Sequence, residues 1–139
     1  MSTQTEATGR QALVVPGWEW DHPVPLGVRL GNLVVSSIIP PRDPETGHPA
    51  KDNSGQVELS FKYMKALIEQ AGGTIDDIAR VTCLVTDKAE FRPLIDKVWN
   101  TMFPADVVGP ARLVIEVPRQ SATVSIQLEF IAWLGEASA

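Results

Sequence analysis

Cysteine is nearly absent from this chain. Cys83 is the only one in 139 residues, which excludes an intramolecular disulfide and a zinc site built on several thiolates. So few thiols suit a reducing compartment, and the expected location is the cytoplasm. Histidine is also scarce: His22 and His48 stand too far apart, with too few companions, to suggest a metal site. No apolar run approaches the roughly 18 residues a membrane-spanning helix needs. No cluster of Lys or Arg exists to follow a phosphate backbone, and a net charge of -5 disfavours nucleic acid as a partner. A P-loop, a GxGxxG turn and a GxSxG elbow are all missing, which removes nucleotide-binding and serine-hydrolase chemistry. The opening MSTQTEATGRQ lacks the apolar segment of a secretion signal. Residues 1–10 are expected to be a loose tail, with a single domain over 11–139.

What is present is ordinary globular material, 44% apolar and 21% charged. A chain of this length buries roughly two thirds of its unfolded surface, enough for a core without staples. ALVV (12–15) is short and β-prone, and GVRLGNLVVSSII (27–39) reads as two strands about a Gly31-Asn32 turn. PPRDPETGHPAKDN is a loop, with His48 facing solvent. Val57, Phe61, Met64 and Ile68, widened by Leu67 and Ala71, make a helical stripe capped by Asn53 or Ser54 and ended by Gly72-Gly73. A short turn at TIDD leads to a strand over 79–86, where Val81, Cys83 and Val85 share the apolar face. Asp87 and Glu90 predict a capping box for a second helix, 88–103, which Pro93 is expected to kink or split. ARLVIEV (111–117) and TVSIQLEFIAWL (123–134) are the last strands, joined by a polar turn. The order β-β-α-β-α-β-β gives an α+β fold with a mixed sheet and both helices on one face. The other face carries Ile131 and Trp133 beside polar residues, which suits a second copy of the chain better than water.

The second half of the sequence carries a recognisable pattern: AGG-x-x-x-DI, then V-x-x-x-VTD, F-x-P-x-I-D-x-x-W-x-x-x-F and PAR-x-x-I-E-V. In order and spacing these resemble the Rid/YjgF family, the reactive-intermediate deaminases also known as L-PSP endoribonuclease-like proteins. GVRLGNLVVSSIIP is similar to that family's first hairpin, so the resemblance runs over roughly residues 24–133. It implies a chorismate-mutase-like α+β fold, a homotrimer packed around a central barrel, and active sites in clefts between subunits. The implied chemistry is hydrolysis of enamines or imines such as 2-aminoacrylate to keto acid and ammonia, with no metal or organic cofactor.

The same resemblance assigns residues. Arg112, in the PAR motif, would bind the substrate carboxylate, a role its planar guanidinium fork suits. Its structural alternative is an ion pair with Glu116 or Glu129. Glu116 matches the V-E-V glutamate and shares a strand face with Arg112; it either contacts substrate or orients Arg112. Ser37 matches the hairpin serine. Asp96 stands where the family has an Asn, if one residue is gapped. The glutamate that handles water is replaced by Gln127, whose amide orients water but cannot take its proton. Glu129, two residues on and on the same face as Gln127, is a substitute base. A family Tyr is replaced near Val24. Just upstream lies WEWDH, residues 18–22. There Trp18 and Trp20 could wall a cleft, and Asp21 or His22 could move a proton; the alternative is an interface loop with Trp anchors.

Three functions follow. The first is an imine deaminase, including a catabolic version with a bulkier conjugated substrate. The second is a non-catalytic binder of small carboxylates on the same fold, the reading that Gln127 favours. The third is a ribonuclease, which an acidic chain without a basic groove or an acid–base histidine pair does not support.

Overall fold

The computed structural model describes residues 8–19, 23–119 and 121–135. Among these residues six strands form one sheet: β1 (Gln11–Leu13), β2 (Gly27–Leu30), β3 (Leu33–Ser36), β4 (Ile78–Val85), β5 (Ala111–Glu116) and β6 (Ile126–Trp133), in the order β1-β2-β3-β6-β4-β5. Among these strands only the β4–β5 pair is parallel. Among the described residues the long helices are α1 (Asn53–Gln70) and α2 (Lys88–Met102), with a 3-10 turn at Ile75–Asp77. The expected α+β class, mixed sheet and two helices are therefore present, and ALVV adds a strand to the expected order.

Several local expectations need correction. Asp52, not Asn53 or Ser54, caps α1: it holds the extended conformation and its carboxylate accepts the Gly55 N–H. Asp87 caps α2 as expected, accepting the Glu90 N–H at 3.0 Å. No capping box forms, because the Glu90 carboxylate accepts from Asn53 Nδ2 at 2.6 Å and so ties the two helix starts together. Pro93 does not split α2, which runs unbroken through it. The last two strands do not pair with one another. The polar turn carries the chain past β4, which lies between β5 and β6 and pairs with both.

The α1 stripe is buried as its spacing predicts, with Val57, Phe61, Met64, Leu67 and Ile68 in the core. These pack on the sheet face that bears Val81, Cys83 and Val85 from β4 and Ile126, Leu128, Phe130 and Ala132 from β6. Gly72 ends α1 in the left-handed region at φ 94, where a Cβ would be strained. The Ala71 carbonyl there is closed by Arg29 Nη1 at 2.7 Å.

One irregularity shapes the sheet. Val35 pairs with Ile131, and the next bridge joins Ile39 to Leu128. Ser36, Ser37 and Ile38 thus oppose only Glu129 and Phe130, which is a β-bulge. Ser36 Oγ accepts the Phe130 N–H at 2.9 Å in place of a backbone carbonyl.

Candidate functional site

Arg112 enters at the head of β5, an edge strand of the sheet. Its register partner is Val81, and Val81 pairs in turn with Phe130. Both partners are buried under the helices, so Arg112 points to the helix side at the margin of the sheet. The α2 helix meets it there with two side chains three residues apart, and hence on one helix face. Asp96 Oδ1 lies 2.9 Å from Arg112 Nη2, with the two side chains 48% and 25% exposed. Trp99 lies against the guanidinium, its ring centroid 5.1 Å from Cζ, a cation–π contact. Trp99 is itself fixed by Phe61, edge-on at 6.3 Å, and by Phe103, tilted at 4.8 Å.

The alternative partners expected for Arg112 are thereby corrected. Glu116 does share the helix-side face, but its carboxylate accepts the Lys88 N–H at 2.8 Å. Lys88 opens α2, so Glu116 satisfies one of the helix's orphan donors. Glu129 pairs with Thr82, one residue out of phase with Val81, and therefore faces the opposite side of the sheet. Gln127, opposite Leu84, faces the same way as Glu129. Within one chain the guanidinium and the two candidate water-handling residues lie on opposite sides of the sheet. Asp96 and Glu116 line a groove of about 570 Å³ with Lys88, Ala89, Arg92 and Pro93. Glu129 lines a smaller hollow of about 120 Å³ with Ser36, Arg80 and Thr82 on the far face.

Ser37 is tied back to the hairpin. Its Oγ donates to the Pro25 carbonyl at 2.7 Å and its N–H to the Leu26 carbonyl at 2.8 Å. Trp18 is not an open aromatic wall. It is 6% exposed and belongs to the core, packed against Tyr63 with the ring centroids 5.0 Å apart and the planes tilted by 34°, and its Nε1 donates to the Arg42 carbonyl at 2.7 Å. The Tyr63 hydroxyl donates to the Trp18 carbonyl at 2.8 Å, and burial pushes its pKa up, with Arg42 opposing. Trp20, Asp21 and His22 lie outside the described residues. Val24, at the expected Tyr position, is exposed. Cys83 is buried, as a strand cysteine should be, and desolvation pushes its thiol up to about 12 against a smaller opposing effect of Arg112.

Two features escaped sequence reasoning. Trp99 packs against Phe61 and Phe103 and also supports the guanidinium; its i+3 spacing from Asp96 is the signal that could have shown this. Lys88 and Arg92, spaced i,i+4, put two cations along the groove.

The sequence profile of the Endoribonuclease L-PSP family matches residues 23–134. A 2-iminobutanoate/2-iminopropanoate deaminase of Salmonella typhimurium is 36% identical over 107 residues, 76% of this chain and 83% of that protein. The crystal structure of E. coli TdcF with bound serine superposes with a TM-score of 0.81 at 28% identity, covering 90% of this chain and 99% of the other. The E. coli YjgF gene product gives 0.80 at 30% identity, over 88% and 98% of the two chains. With its profile, its relatives and its overall fold in agreement, the chain belongs to the Rid/YjgF family.

Proposed function

We propose that this protein is a cofactor-independent hydrolytic deaminase of enamine and imine carboxylic acids, acting as a homotrimer with sites between subunits. The observation that carries this reading is Arg112, held on the Trp99 indole at the sheet margin. A guanidinium so fixed takes a carboxylate at little further cost in side-chain freedom. Its Salmonella relative is named for imine deamination. The TdcF structure holds an amino acid, which carries the same carboxylate beside nitrogen.

The chemistry is the addition of water across a C=N bond. Water attacks the imine carbon and a proton passes to nitrogen. The carbinolamine then expels ammonia and leaves the keto acid. Arg112 fixes the carboxylate next to the reacting carbon. Glu129 is the proton acceptor for the water, and Gln127 orients it, because an amide donates and accepts hydrogen bonds without titrating. Since these two residues face away from Arg112 in one chain, they act from a neighbouring subunit. The open sheet face that bears them also exposes Leu113, Ile115 and Trp133, an apolar surface suited to that packing. Ser37 stays a substrate-side residue through the loop it fixes, and Glu116 acts through the α2 terminus. Burial of Trp18 removes its support for a bulky flat substrate, so small imino acids fit the observations better.

The test is release of ammonia and keto acid from 2-aminoacrylate generated in situ, and from a bulkier imino acid, with Arg112→Ala alongside. Turnover by the wild type and its loss in the variant are expected. A folded oligomer that turns over neither substrate would sink this reading. Gln127 would then favour the second one, a binding protein that captures small carboxylates without hydrolysing them.

A further inference from the structure

Arg112 alone cannot tell substrate from product, because an imino acid and its keto acid carry the same carboxylate. They differ at one atom. The protonated imine offers N–H donors and positive charge, whereas the ketone offers only lone pairs. Beside the guanidinium, Asp96 Oδ1 stands 2.9 Å from Nη2 and the carboxylate lines the open groove. At 48% exposure it is reachable from solvent. A carboxylate accepts hydrogen bonds and cannot donate them; an Asn amide would serve either ligand. The couple is also the charge complement of a small zwitterion laid antiparallel, carboxylate to Arg112 and nitrogen to Asp96. Lys88 and Arg92 along the same groove attract the carboxylate of either ligand alike, so the difference falls on Asp96, which attracts the nitrogen of a zwitterion and only repels a simple anion.

We infer that Asp96 is the specificity residue that reads the nitrogen of the bound acid, favouring nitrogen-bearing acids and expelling the keto acid. This rests on the reading of Arg112 as the carboxylate clamp. It assigns Asp96 a function beyond holding the arginine.

The experiment is calorimetric binding of alanine and of pyruvate, as stable representatives of the two classes, to wild type, Asp96→Asn and Arg112→Ala. Circular dichroism of each variant checks that it folds. Wild type is expected to prefer alanine. Asp96→Asn is expected to shift the alanine-to-pyruvate affinity ratio about tenfold toward pyruvate, the scale of one charge contact. Arg112→Ala is expected to weaken both. If Asp96 only positions Arg112, the Asn variant weakens both ligands alike and the ratio stays put, which overturns the inference. So does a wild type that binds neither ligand, or binds pyruvate the better. Deaminase turnover is scored separately. A shifted ratio without turnover removes the deaminase reading and leaves this one standing. Turnover with an unmoved ratio does the reverse.

Discussion

At the scale of single residues, the clearest lesson is how an indole changes meaning with its surroundings. Trp18 sits in a stretch of carboxylates, prolines and glycine that reads as loop, so its sequence context suggests an exposed surface. Its burial depends on Tyr63, 45 residues away, whose hydroxyl fixes the Trp18 carbonyl. No local periodicity encodes that contact. Truncating Trp18 to Ala should cost about 3–5 kcal/mol, the range for a buried large aromatic, measured by urea unfolding. Trp99 and Asp96 show the converse. Helical spacing puts them on one face, yet sequence cannot say that Arg112, on another element, lies against that face. Cys83 permits a chemical test. With its thiol at about 12 in the fold against 9.0 as the ordinary value, it stays protonated at neutral pH. Alkylation by iodoacetamide should therefore be slow in the native protein and fast in denaturant. The sign of its effect on stability follows from proton counting. Below pH 9.0 both folded and unfolded chains keep the proton and nothing changes. Between 9.0 and about 12 only the unfolded chain loses it, so stability falls as pH rises through that window.

At the scale of elements, the stripes, the hairpin turn and the last-strand alternation were all legible, because each is set by spacing within one segment. Caps were legible to within a residue or two. The α1 start separates neighbouring readings cleanly. Asp52→Ala should cost about 1 kcal/mol, as loss of an N-cap does, while Ser54→Ala should leave the thermal midpoint nearly unchanged. Sheet order was less legible. A polar turn between two β-prone segments suggests a hairpin, but β5 runs parallel to β4 after a helical crossover, and β6 returns on the other side. That choice is made by the face α2 must cover, a tertiary matter. The bulge at Ser36–Ile38 was also hidden, since its extra residue appears only when the register with β6 is known.

At the scale of the whole molecule, the sheet is covered on one side by two helices, and the other side leaves Leu113, Ile115 and Trp133 exposed, Trp133 by 61%. This imbalance is legible in the sequence, because the alternation along β6 puts Ile131 and Trp133 on the face away from the core. On the proposed assembly, Trp133→Glu places a charge in a subunit interface. Sedimentation should then show smaller species, and deaminase activity should fall with the assembly, while far-UV circular dichroism keeps its α+β shape. The separation of Arg112 from Glu129 across the sheet has a genetic consequence. In the proposed trimer each site borrows one of these residues from a neighbour, so a lesion in either need not be fatal when the other is supplied by a different allele. Arg112→Ala and Glu129→Gln subunits, each inactive alone, should complement one another when unfolded and reassembled together. Random assortment gives about a quarter of the sites an intact pair.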